Sequence, residues 1–132
     1  MISINSIKKE HELIERELVE LETIMDEENI NFPNLVHIFA KLHSLWDSHE
    51  KKEEDLFNKF KADGIDFPVD EILFAHKELR GHKKVIENAI NSGSEFEMQV
   101  SLDTDGKIII NKLREHIKKE EIYLDKVSHQ NL

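Results

Sequence analysis

Trp46-Asp47-Ser48-His49-Glu50-Lys51-Lys52-Glu53-Glu54-Asp55-Leu56-Phe57-Asn58-Lys59-Phe60 is the stretch that decides how this chain folds. Around it, Phe39, Leu42, Trp46, Leu56 and Phe60 recur at three- and four-residue steps, the spacing of one buried helix face. His49 and Glu53 fall on the same stripe, where apolar side chains are expected. This helix therefore turns an imidazole and a carboxylate, one turn apart, towards its core.

Three further stripes share the pattern. The first runs Ile4, Ile7, His11, Ile14, Leu18, Leu21, Met25 and ends near residues 29–31, with Pro33 opening the next helix at a position proline tolerates. The stripe around His49 stops at Ala62-Asp63-Gly64, where glycine is a natural helix stop. The third, after Pro68, runs Val69, Ile72, His76, Leu79, Lys83, Ile86, Ile90 and ends at Asn91-Ser92-Gly93. The fourth runs Ile109, Leu113, His116, Glu120, Tyr123, Val127. Residues 94–103 alternate weakly, but a lone strand has nothing to pair with, so a long connection or an extra helical turn is expected there. Four stripes with mostly short connections predict an all-α fold, an antiparallel up-down-up-down four-helix bundle, in a single domain over residues 1–132.

Composition agrees. Helix formers dominate, and four Gly and two Pro are too few for the turns of an all-β chain. A net charge of −10 argues against nucleic acid and against an anionic membrane surface. No apolar run approaches the roughly 18 residues of a membrane span, and the first residues lack the apolar core of a signal peptide. The absence of Cys excludes disulfides, thiolate zinc sites and cysteine-ligated clusters. A cytoplasmic location is expected.

Each stripe holds one of the eight histidines at a core-facing position, and two stripes add a Glu four residues on. Lys83 is the other charged intruder, and its stem is long enough to snorkel towards an end of the bundle. At ~1.5 Å per residue, His11 lies roughly 27 Å before the first turn and His49 roughly 24 Å after Pro33, so antiparallel packing brings them level. Buried carboxylates without partners cost several kcal/mol, and His11, His49, His76, His116, Glu53 and Glu120 converging on one layer need a positive charge between them. Imidazole with carboxylate suits iron, manganese or zinc, and the two His-x-x-x-Glu pairs suit two neighbouring ions, with each Glu able to bridge them. Without metal, Glu53 and Glu120 are expected to repel, so that one or both take up a proton at a raised pKa. His82, ~9 Å along the helix from His76, is too far for the cluster. His37, His43 and His129 lie off the stripes and are expected at the surface or the core edge.

The segments Lys9-Glu10-His11-Glu12-Leu13, His49-Glu50-Lys51-Lys52-Glu53-Glu54, Ala75-His76-Lys77-Glu78-Leu79-Arg80 and His116-Ile117-Lys118-Lys119-Glu120-Glu121 together resemble the hemerythrin-like (HHE) domains. That family has a His early in helix one, His-x-x-x-Glu in helix two, a His in helix three, and a His followed by an acid in helix four. Ferritin-like bundles use Glu-x-x-His instead, and no His here has Glu at that spacing.

The resemblance implies two non-haem, carboxylate-bridged iron ions held by His11, His49, Glu53, His76, His116 and Glu120. It implies positions left open for a small oxidant such as dioxygen, nitric oxide or peroxide. Oxygen carriers of the family place a second His where this chain has Arg80, and an Asp where it has Glu121. The pattern therefore looks closer to iron-repair and nitric-oxide-stress proteins, with an iron- or oxygen-sensing binding module as the alternative. One iron-sensing variant uses the acid after the second-helix His, here Glu50. Arg80 cannot ligate iron, and is expected to fold back over Glu15 or Glu50 or to close the cavity mouth.

Overall fold

In the computed structural model, which describes residues 3–130 except the side chains of His129 and Gln130, the chain is helical and has no strand among the described residues. The expectation for the His129 side chain lies outside the described residues. Four long helices carry the four stripes: α1 (Ile4–Met25), α2 (Phe32–Ala62), α3 (Val69–Ser92) and α5 (Lys107–Gln130), with a short α4 (Glu95–Ser101) before the last.

The helix ends follow local chemistry. Ser3 caps α1 by accepting from the Ser6 backbone N–H at 3.1 Å, and Asn31 caps α2 by accepting from that of Asn34 at 3.1 Å. Side-chain oxygens at this position satisfy a backbone donor that the helix itself leaves unpaired. Pro33 stands in the first turn of α2, as its ring allows. Gly64 and Gly93, at φ 72° and 71°, take up the left-handed conformation that ends α2 and α3.

Residues 94–103 form neither a strand nor an open connection. Ser94 caps α4, and Met98, Ser101, Leu102 and Gly106 are buried. Their spacing of three, four and eight residues is helical, which the weak alternation at 94–103 obscures. A π-helical turn over Leu102–Gly106 then feeds directly into α5.

α1 packs against α2 and α5, and α3 packs against the same two helices, so the four long helices close into a ring. Ion pairs fix the levels. Glu10 meets Lys52 at 2.6 Å and Glu17 meets Lys41 at 3.1 Å across α1–α2. Lys61 meets Asp70 at 2.9 Å and Arg80 meets Glu50 at 2.8 Å across α2–α3. Across α3–α5 Lys119 pairs with Glu71, and Lys112 approaches Glu78 at 3.9 Å.

The apolar interior falls into two clusters. One gathers Ile14, Leu18, Leu21, Leu42, Trp46, Leu79 and Leu113; the other gathers Ile7, Phe57, Phe60, Phe67, Ile72 and Leu124. The histidines of the stripes lie between them, as the residue numbers flanking each histidine require. Lys83 is buried, with its ammonium on Asp47 and 4.8 Å from the centre of the Trp46 ring.

Candidate metal centre

Each long helix delivers one imidazole to a single layer between the two apolar clusters. His11, His49, His76, Glu53 and Glu120 are buried, and the His116 side chain is 9% exposed. The His11 and His49 rings stand 4.7 Å apart and the His76 and His116 rings 4.8 Å apart, each pair edge to face. All six residues singled out from the sequence are brought together.

Their donor atoms form two groups sharing two carboxylates. His11, His49, Glu53 and Glu120 each offer an atom within 4.8 Å of the others, and so do Glu53, His76, His116 and Glu120. The Nε2 atoms point inward: His49 Nε2 is 2.8 Å from Glu53, His11 Nε2 3.2 Å from Glu120, and His76 Nε2 3.1 Å from Glu120. His116 Nε2 also contacts Glu120. Glu53 and Glu120, from α2 and α5, thus reach into both groups.

The layer is not satisfied by its own hydrogen bonds. His11 Nε2, His49 Nε2, His116 Nε2, Glu53 Oε2 and Glu120 Oε1 are buried without a hydrogen-bond partner. Such orphaned atoms are rare in folded proteins, and here five converge on one place. Nitrogen and carboxylate donors of this kind suit a divalent or trivalent transition ion, so the residues fit a metal.

In the metal-free chain the positive charge comes from protons. Burial opposes charge on His11 and on His76, but the carboxylates of Glu120 and Glu53 outweigh it and raise both imidazoles to about 10. Burial pushes Glu53 up, yet contacts with Glu120, His11, His49 and His76 hold it well below the usual carboxylate range. The expectation that one or both carboxylates take up a proton at a raised pKa does not hold for Glu53. Repulsion between two carboxylates ignores the imidazoles around them, which bind protons more readily.

The outward nitrogens reveal carboxylates that the stripes did not select as part of the centre. His49 Nδ1 lies 2.9 Å from Glu10, His11 Nδ1 3.3 Å from Glu121, and His76 Nδ1 3.6 Å from Glu54. The first two are hydrogen bonds, which orient an imidazole and fix which nitrogen faces inward, whereas His76 Nδ1 is left without a hydrogen-bond partner. Each one neighbours a core residue in sequence: Glu10 precedes His11, Glu54 follows Glu53, and Glu121 follows Glu120. A residue one step off the stripe sits about 100° round the helix, at the seam with the next helix. Glu10 and Glu121 accordingly hydrogen-bond a histidine on a different helix, and Glu54 faces one. The adjacency is the signal that could have found them.

This set of helices, spacings and buried donors has a counterpart among known proteins. A family model of the hemerythrin HHE cation-binding domain matches residues 3–127. The chain belongs to the hemerythrin HHE cation-binding family. No curated protein and no solved structure matches it.

Within this hemerythrin-family chain the remaining candidates have other partners. Arg80 donates to Glu50 at 2.8 Å through Nε and also contacts Glu54, so it folds back over Glu50 as expected, and not over Glu15. Glu15 pairs with Arg114 at 2.9 Å. His82 faces Asp105 at 3.0 Å, and His43 faces Asp47 at 3.2 Å; both lie outside the two donor groups. His37 is exposed. Glu50, Glu54 and His76 form a third group of suitable donors, and the guanidinium of Arg80 sits against both of its carboxylates. No helix among the described residues is long and apolar enough to cross a membrane.

Proposed function

We propose that residues 1–132 form one antiparallel up-down-up-down bundle whose core holds two carboxylate-bridged, non-haem iron ions. His11 and His49 would hold one ion, His76 and His116 the other, and Glu53 and Glu120 would bridge them. The observation that carries this is the sharing of Glu53 and Glu120 by two donor groups that each have their own pair of histidines. The antiparallel course is supported by the ion pairs, in which residue numbers rise along one helix as they fall along its neighbour.

Bound iron supplies a change of oxidation state and a coordination position for a small ligand. The chain's own residues do the rest. Glu10 and Glu121 hold the His49 and His11 imidazoles by their outer nitrogens, which keeps the inner nitrogens aimed at the centre. The apolar clusters close the layer towards the two ends of the bundle. We assign the protein to binding or reacting with small oxidants, dioxygen or nitric oxide among them, in redox or stress response. Arg80, engaged with Glu50 and Glu54, leaves the helix-three position of the oxygen carriers without a ligand, which supports this reading over oxygen carriage.

The test is metal analysis with a visible spectrum. Purified protein should hold about two iron atoms per chain, as the two donor groups require, and absorb in the near-ultraviolet and visible when oxidised. Protein that stays metal-free and colourless after anaerobic loading with ferrous iron would overturn the proposal.

A further inference from the structure

The six central side chains are not equally enclosed. His11 and His49 each have the outer nitrogen hydrogen-bonded to a carboxylate, and Glu54, 3.6 Å from the outer nitrogen of His76, is held by Arg80. His116 contacts Glu120 through Nε2, and among the described residues no carboxylate backs its other nitrogen. It is also the most exposed of the six.

Beside His116 the bundle is open. A cleft of about 220 Å³ runs between α3 and α5, with Ile72, Phe74, Ala75 and Lys119 on its walls and His116 and Glu120 at its floor. His116 and the almost fully buried Glu120 both line it, so the cleft reaches residues of the central layer itself. The clefts beside Val36, Phe96 and Met25 touch none of the six. Phe74, 63% exposed, and Lys119, paired with Glu71, mark the rim, while Ala75 presents only a methyl group to the passage.

We propose that the small ligand reaches the centre through this α3–α5 cleft and meets the ion held by His76 and His116. This rests on the two-iron reading above. The volume corresponds to roughly seven water molecules at about 30 Å³ each in the liquid. The cleft has ample room for a molecule of two or three heavy atoms. Ala75 sets the width of the passage, and is a specificity-determining residue without being a ligand.

Association of azide with the oxidised, iron-loaded full chain, followed by stopped-flow absorbance, tests the route. Ala75→Phe fills the passage and should slow association at least tenfold with iron content unchanged. Lys119→Trp adds bulk at the exposed rim, where it does not disturb the core, and should slow association severalfold. Ala40→Phe, at the exposed cleft beside Val36, should bind azide at the wild-type rate. If iron-replete Ala75→Phe keeps the wild-type rate, the route is wrong; if Ala75→Phe fails to fold, an unaltered rate in Lys119→Trp overturns it equally. Iron-loaded wild type that gives no azide-dependent change would remove the open position. Wild type that holds no iron would remove the two-iron reading, and this inference with it.

Discussion

At the scale of single residues, His49 is held between two carboxylates. Its inner nitrogen is 2.8 Å from Glu53 and its outer nitrogen 2.9 Å from Glu10, which is itself 2.6 Å from Lys52. Truncation at successive distances from the centre should therefore give a graded loss of iron. His49→Ala and His116→Ala remove donors outright and should abolish stable binding. Glu10→Ala leaves the donor but frees the ring to turn, a change that costs about 10–100-fold in affinity at comparable sites. His37→Ala and His43→Ala, outside both donor groups, should bind iron as the wild type does. Competition with a chelator measures all five variants, and equal iron retention across them would show that the wrong helix faces were chosen. The inner positions were legible because a charged or polar residue on an apolar stripe is conspicuous. Glu10, Glu54 and Glu121 were not, because they lie on helix flanks, where acidic residues abound for solubility alone. Periodicity says which face of a helix is buried, but not which neighbour its edge will meet.

At the scale of elements, the turns carry the least ambiguous chemistry. Gly64 and Gly93 adopt positive φ, and a Cβ in the left-handed region costs roughly 1–2 kcal/mol. Gly64→Ala and Gly93→Ala should each lower the unfolding free energy by about 1 kcal/mol. Gly81 differs. It lies exposed within α3, and a Cβ there would meet nothing within 4 Å. Gly81→Ala should raise stability by about 0.5–1 kcal/mol, since helical glycine gives up more backbone freedom than alanine. Urea unfolding of the three variants checks the contrast, and a destabilising Gly81→Ala would mean that α3 is distorted near Arg80. Helices α1, α2 and α3 were legible from their stripes and stops. The passage from α4 into α5 was not. Its π-helical turn shifts the buried face, and Gly106 lies so close to Leu102 and Met25 that an added Cβ would stand 3.3 Å from each. Near its end α5 also buries Leu124 completely, whereas Tyr123 on the predicted stripe is half-buried.

At the scale of the whole molecule, a polar layer divides the core, and the stability of the chain depends on what neutralises that layer. Without metal, His11 and His76 titrate near 10 in the folded chain, against about 6.5 unfolded. Below pH 6.5 both states carry these protons and the stabilisation is fully present. Above it, the unfolded chain has lost protons that the folded chain retains, so stability falls as pH rises towards 10. Glu53 acts at the other end. Held below its ordinary 4.5, it contributes fully above that value and loses its contribution as pH falls through the lower folded value. Metal-free protein should therefore be most stable between about pH 4.5 and 6.5, and lose on the order of a few kcal/mol by pH 10. The two imidazoles share the same carboxylates, so their contributions overlap and do not add. Iron takes only neutral imidazole, so loading expels those protons, tightens with rising pH, and replaces their charge with one that does not titrate. The iron-loaded chain should keep its stability where the metal-free chain declines. Urea midpoints of chelator-treated and iron-loaded protein from pH 5 to 10 make the comparison. Parallel curves would mean that protons on His11 and His76 do not hold the empty layer together.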